Sequence, residues 1–260
     1  MTAAAPARRA RPGNFAAATV GLGALAAFLL AVEILIQIGV VNRFIVPPPS
    51  EIIGSFGRVI VEENVFGRFL LTLTECLTAG VMLTVFGVAG GVLMHRFKLL
   101  QQACETWVAA MASAPIVLMY PLFLVIFGRN AWTIIMMGFF AALPPVILKT
   151  IEGIAGTRKV LVNVGRSFNL NATQQFWKIL FPAALPTIFV GLRLGLIFAL
   201  INIVGVEFLI NFGGLGQLIN ELAERYDLAG TYAAICFVIL VSIVFFMALE
   251  KAERWLRPVD

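Results

Sequence analysis

The sequence predicts an all-α protein that crosses a membrane six times. Three observations carry that reading. Hydrophobic residues make up 60% of the 260-residue chain and charged residues 13%, with a mean hydropathy of +0.96. Soluble domains carry about 45–50% apolar and about 25% charged residues, so a soluble fold has nowhere to bury this much apolar surface. The apolar residues also fall in continuous runs close to the ~20 needed for a helix to cross the hydrocarbon core. A closed barrel is the other structure that satisfies every backbone polar group in lipid, but its strands alternate polar and apolar. Finally, Lys and Arg gather on alternate connecting segments, as membrane topology demands.

Each element follows in order. Residues 1–14, with Arg8, Arg9 and Arg11 among Ala and Pro, read as a disordered cytoplasmic tail. The run 15–40 exceeds the ~7–15 apolar residues of a signal peptide, which favours an uncleaved first span. Residues 47–66 open on Pro47-Pro48-Pro49-Ser50. Ser50 is a candidate N-cap, with Glu51 in the first turn. Ile52, Ile53, Phe56, Val59 and Ile60 then make a helical apolar stripe, so an amphipathic helix on the outer surface is expected. Region 67–253 holds the spans 69–94, 106–127, 132–148, 185–210 and 230–249, and 254–260 is a second tail. With the N-terminus inside, thirteen Lys and Arg lie inside and five outside, while Arg193 falls within a span. Both termini and segment 159–186 are therefore expected in the cytoplasm.

The composition also excludes functions. The net charge of +5 is accounted for by topology and argues for no nucleic acid. Cys76, Cys104 and Cys236 are odd in number, lie in apolar runs and read as small hydrophobes. His95 is the only histidine, which leaves no HExxH metal site. Gly213-Gly214-Leu215-Gly216 follows a span rather than a strand, and GxxxxGK[ST] is absent, so this chain binds no nucleotide and any ATP-driven step needs another chain. The glycines are expected to let the chain re-enter or skim the membrane before Gly230.

Ionisable residues at membrane depth are functional candidates by default: Glu33, Glu75, Arg193 and Glu207. Arg193 is placed to snorkel to the inner face. Glu207, beside the glycines, reads either as an outer gate or, the favoured reading, as a solvated interfacial carboxylate. No carboxylates cluster visibly at the midplane. Pro115, Pro121, Pro144 and Pro145 free backbone carbonyls, and either line a pathway or simply bend their helices. Gly191, Gly195 and Ala199 recur every fourth residue and allow close helix approach, within one chain or between two.

The longest polar stretch between spans is Lys159 to Pro186, KVLVNVGRSFNLNATQQFWKILFPAALP. Asn169 suits a left-handed corner, and Asn171 can cap a short helix that follows. Phe176-Trp177-Lys178-Ile179-Leu180-Phe181-Pro182-Ala183-Ala184-Leu185-Pro186, running on into Gly191-Leu192-Arg193-Leu194-Gly195, resembles the loop by which permease subunits of bacterial binding-protein-dependent ABC importers dock on their ATPase. The family's Glu falls on Asn163, its Ala pair on Val164 and Gly165, and its Gly on Asn169. The start of the motif therefore departs, while the corner survives. Pro-Pro-Pro-Ser-Glu-Ile, Ala114-Pro115, Tyr120-Pro121-Leu122-Phe123, Phe127-Gly128 and Gly213-Gly214-Leu215-Gly216 extend the resemblance over roughly residues 45–225.

That resemblance implies a type I ABC importer-like fold in the bacterial inner membrane. It implies a subgroup importing nitrate, sulfonates or taurine, bicarbonate, or vitamin and pyrimidine precursors. The implied partners are two ATPase copies carrying ATP and Mg, an external solute-binding protein and a second copy of the permease. It implies ATPase docking through Gly165, Arg166, Ser167, Phe168, Asn169, Leu170, Asn171, Ala172, Gln175 and Phe176. Pro115, Tyr120, Glu207, Gly213, Gly214 and Gly216 become candidate pathway or gate residues. An ion-coupled secondary transporter, which would need matching repeats and a midplane ion site, and an intramembrane enzyme are the alternatives.

Overall fold

The computed structural model describes residues 14–256, with side chains from 19 to 254. Most of the two predicted tails, 1–13 and 257–260, lies outside the described residues. Twelve α-helices follow one another without a strand among the described residues. Helix α1 (Asn14–Gln37) leads into α2 (Pro49–Glu62) and α3 (Val65–Met82). A π-turn, Leu83–Gly87, joins α3 to α4 (Val88–Arg96). Next come α5 (Lys98–Ser113), α6 (Tyr120–Phe127) and α7 (Ala131–Ala155), then α8 (Lys159–Ser167) and α9 (Ala172–Gln175). Helices α10 (Phe181–Ile210), α11 (Gly214–Glu224) and α12 (Leu228–Leu256) complete the chain.

Among the described residues, five stretches are long and apolar enough to cross a membrane: Thr19–Gln37, Val65–Arg96, Ala131–Ala155, Ala172–Ile210 and Leu228–Arg254. A sixth crossing requires α5 and the stretch Ile116–Phe127 together, and these meet at 91°. The bend expected at the prolines of the 106–127 span is thus a full break of the helix at Pro115. Ala114 is extended (ψ 132°), Pro115 also leaves the helical region (ψ 80°), and a 3₁₀ turn over Ile116–Met119 restarts the helix. Pro115 cannot supply the amide that would continue α5, and it disfavours helical backbone at Ala114.

The core lies between α3, α7 and α10. Cys76, Leu83, Ile134, Met137, Val146 and Ile203 are buried there. The Gly191, Gly195 and Ala199 ladder faces α7 within the same chain. A Cβ on Gly195 would stand 2.7 Å from Val146 Cγ2 and 3.1 Å from the Ala142 carbonyl, and one on Gly191 2.6 Å from Lys149 Cβ. Pro144 and Pro145 sit inside α7, which stays helical throughout. Two π-turns adjust the long helices, and the second, Phe176–Leu180, has a clear cause. Pro182 lacks an N–H, and the Phe181 N–H reaches back to the Phe176 carbonyl, widening the turn.

A second apolar cluster holds the far end of the bundle. Val59 of α2, Val65 of α3, Leu215, Leu218 and Leu222 of α11, and Ala233 and Ala234 of α12 are buried together. Helix α2 is thus packed on the bundle by one stripe, with Ile53 and Val61 still exposed. Helix α1 is almost uncovered: Leu22, Phe28 and Leu30 are each more than half exposed. Its far end is held by Glu33, which accepts the Ser50 N–H at 3.1 Å and the Ser50 hydroxyl at 2.8 Å.

Candidate functional site

Segment 156–182 forms one end of the bundle, joined to α7 on one side and α10 on the other. Its corner is set by Asn169, whose φ of 51° is left-handed. Around it the Leu170 N–H donates to the Gly165 carbonyl at 3.1 Å and the Asn169 N–H to the Arg166 carbonyl at 2.9 Å. This closes the end of α8 as a left-handed residue does after many helices. Asn171 then starts α9 through a reciprocal cap. Its Oδ1 accepts the Gln174 N–H at 2.8 Å, and Gln174 Oε1 accepts the Asn171 N–H at 3.1 Å. Gln175 Nε2 donates to the Val162 carbonyl at 3.1 Å, which ties α9 back on α8.

The predicted docking residues do not share one environment. Arg166, Ser167, Phe168, Asn169, Asn171 and Ala172 are exposed, and Leu170, Gln175 and Phe176 are half-buried. Gly165 is buried: a Cβ there would stand 2.5 Å from Ile179 Cδ1, so it lets α8 lie close on the π-turn. The outer face of α8 carries Val160, Leu161 and Val164, and Phe168 beyond it is 76% exposed. Arg158, Lys159 and Arg166 stand among them. An apolar strip edged by cations is a surface shaped for a partner.

The opposite end holds Glu207 and the glycines, and here the structure overturns two expectations. Glu207 is fully buried rather than solvated. Its Oε1 accepts the Thr72 hydroxyl at 2.7 Å, and its Oε2 accepts the Gly216 N–H at 2.8 Å. Thr72 Oγ1 in turn accepts the Leu215 N–H at 3.0 Å. Glu207 therefore caps α11 at the helix end where negative charge is stabilised. Gly213 and Gly214 have φ of 65° and 73°, and a Cβ on Gly214 or Gly216 would collide with Glu207 itself. The glycines wrap a carboxyl and lead into a packed helix, α11. Carboxyls do also cluster: Glu75, 2% exposed, lies beside Glu207, with neither oxygen hydrogen-bonded in good geometry.

Pro115 and Tyr120 stand at the broken third span, where Tyr120 packs against the core cluster that includes Val206 and Ile210. Arg193 pairs with Glu253, near the end of α12, at 2.7 Å, and its guanidinium lies 5.6 Å from the Phe246 ring centre. Sequence reasoning missed Thr72, Glu253 and Arg129. Arg129 joins α6–α7 to the end of α10, donating to the Ile210 carbonyl at 2.9 Å and to that of Asn211. These partners are 60 to 135 positions apart in the chain, so no local pattern marks them.

Ion pairs pin α2 and α11 at this end: Arg58–Asp227 at 2.5 Å, Arg68–Glu221 at 2.7 Å and Arg225–Glu63 at 2.8 Å. The hydrogen bond to Asp227 raises the Arg58 guanidinium above its ordinary value. Burial works against ionisation of Asp227. The Arg58 hydrogen bond, the Gly230 N–H and the charges of Arg58 and Arg225 outweigh it, so the carboxyl lies below its ordinary value. No group of three or more His, Cys, Asp or Glu could hold a metal among the described residues.

Comparison with known proteins places this arrangement. Residues 83–258 match a family model described as "Binding-protein-dependent transport system inner membrane component". The chain is 24% identical to the formylaminopyrimidine transport permease protein of Halalkalibacterium halodurans, over 83% of this chain and 86% of that one. It is 21% identical to the taurine transport system permease protein of Escherichia coli, over 92% and 89%. With a putative aliphatic sulfonates transport permease protein of Bacillus subtilis the identity is 26%, over 88% and 84%. Its fold matches a chain of an inward-facing methionine ABC transporter with a TM-score of 0.65 and 18% identity, covering 75% of this chain and 96% of the other.

Proposed function

Because the chain belongs to the family of binding-protein-dependent transport system inner membrane components, we propose that segment 156–182 is the surface through which a partner ATPase drives it. The chain is a multi-pass permease subunit of an ABC importer in the inner membrane. ATP and Mg are bound and hydrolysed on two copies of a cytoplasmic ATPase. An external binding protein delivers the solute, and a second copy of this chain completes the pathway. Both termini and segment 156–182 face the cytoplasm, a reading supported by the Lys and Arg bias.

One observation carries the docking proposal. Val160, Leu161, Val164 and Phe168 are exposed at one end of the bundle. They lie on a segment whose own corner and cap are fully hydrogen-bonded. A rigid, exposed apolar strip edged by Arg158, Lys159 and Arg166 fits an apolar cleft rimmed by carboxylates. The segment is rooted in α7 and α10, which are locked together at Gly191 and Gly195. When ATP closes the ATPases, the docked segments are drawn together and turn α7 and α10 as one body. The cavity between two copies then opens outward to receive the solute, and hydrolysis resets it. Names of the relatives support a small solute of the pyrimidine-precursor, taurine, sulfonate or nitrate class.

The test is to purify the tagged chain from its native host in mild detergent and identify what accompanies it by mass. A stoichiometric ATPase with a Walker motif, lost on replacing Phe168 and Leu161 with Asp, is the expected result. A homo-oligomer that moves solute down an ion gradient with no ATPase would overturn the proposal.

A further inference from the structure

A groove of about 580 Å³ runs between α4 and the start of α10. Thr84, Val88, Val92 and Arg96 line one wall, and Phe176, Trp177 and Phe181 are on the other. The first four are spaced by four residues and stack on one face of the helical stretch. From Thr84 to Arg96 the wall is twelve residues long, about 18 Å at a helical rise. One leaflet of a bilayer contributes about 15 Å of hydrocarbon, half of a ~30 Å core. The groove thus spans one leaflet.

Its chemistry is graded along that length. The deep part is lined by Val85, Val88 and Thr84, whose hydroxyl is taken up by the Gly80 carbonyl at 2.9 Å. The shallow part, next to segment 156–182, carries Trp177, 60% exposed, whose ring packs edge-on against Phe176 at 5.1 Å. Amphipathic aromatic rings of this kind settle at the level of lipid headgroups. At the same end Arg96 is exposed and makes no ion pair or hydrogen bond among the described residues. A cation at headgroup depth, above an apolar slot one leaflet long, matches an anionic lipid from the cytoplasmic leaflet.

We propose that this groove binds one anionic phospholipid, with an acyl chain along Thr84, Val88 and Val92 and the phosphate on Arg96. The second wall belongs to the π-turn that joins segment 156–182 to α10. The lipid would therefore brace the point where motion of the segment enters the membrane. A phosphate contact suits arginine, whose fork of donors engages two oxygens at once.

The full chain in neutral detergent, offered equal amounts of phosphatidylglycerol and phosphatidylcholine and weighed by native mass spectrometry, provides the test. The expected result is preferential retention of one phosphatidylglycerol per chain. One cation near the surface contributes on the order of fivefold in that preference, which Arg96→Gln should remove and Arg96→Lys largely keep. Ala89→Trp, which places a ring in the groove mouth, should reduce retention of both lipids. Equal retention of the two lipids by the unaltered chain would overturn the proposal. So would a preference that survives Arg96→Gln. Efficient disulfide formation between two copies carrying Ala89→Cys, with no lipid retained, would assign the groove to a second copy instead.

Discussion

Glu207 offers the sharpest test of how the outer end is held. Both of its oxygens are engaged, one by Thr72 and one by the Gly216 N–H. Replacement by Leu removes both acceptors. A buried N–H left without a partner costs about 1–3 kcal/mol, and a lost neutral hydrogen bond about 0.5–1.5 kcal/mol. Glu207→Leu should therefore destabilise the chain by roughly 2–4 kcal/mol. Glu207→Gln should behave differently. Its amide oxygen can take the Gly216 N–H, while its NH₂ donates to Thr72 Oγ1. The Thr72 hydroxyl is free to turn to the Arg68 carbonyl, already 3.3 Å away. Each donor of the natural site then keeps an acceptor, the second amide N–H faces the neighbouring Glu75, and the loss should stay below about 1 kcal/mol. Equilibrium unfolding in mixed micelles of SDS and a neutral detergent measures both. Equal losses for Leu and Gln, or a negligible loss for Leu, would refute the capping argument. Glu75→Gln is the internal control. Glu75 has no well-formed hydrogen bond to lose, so that change should be neutral or stabilising.

Three further outcomes follow from the same geometry. Asn169→Ile puts a β-branched residue at φ 51°, costing roughly 1–2 kcal/mol in the corner; ATPase recovery in co-purification should fall while membrane insertion is unchanged. Gly195→Leu drives a side chain into Val146 and the Ala142 carbonyl, and overpacking of about 1–3 kcal/mol should lower the melting temperature in detergent. The Asp227 carboxyl lies below its ordinary value of 3.8 in the folded chain. Its contribution is thus present above that value and is lost as pH falls through the lower folded one. Hydrogen exchange across α2, corrected for intrinsic rates, should speed up over that acid range in the natural protein. Asp227→Asn should exchange faster at neutral pH and show no such acid step.

Some of the site was legible in the chain. Asn169 at the corner and Asn171 at the cap were readable because their chemistry is local: a left-handed residue, and a side chain reaching three residues on. The importer family was legible because motifs of this kind keep their order and spacing. Glu207 was misread because its depth depends on which way α11 turns after Gly213 and Gly214. A carboxyl near the end of a span looks solvated until a second helix start is folded over it. The partner of Arg193 was not legible either, since Glu253 lies on the last helix. The bend at Pro115 was expected but not its 91° extent, because Pro144 and Pro145 leave α7 helical, and a proline alone does not say whether a helix kinks or breaks.

The sequence by itself determined that this chain is a helical membrane protein of the importer-permease family, and where its corner at Asn169 and its cap at Asn171 fall. Those properties are sums over neighbouring residues, and hydrophobicity and local hydrogen bonding are decided within a turn or two. The tertiary structure alone decided that Gly191 and Gly195 serve α7 within the same chain. It also decided that Glu207 caps α11, and that Arg96 stands at one end of a groove lined by α4 and the start of α10. Those depend on which helix faces end up opposed, and close packing between segments far apart in the chain has no local code.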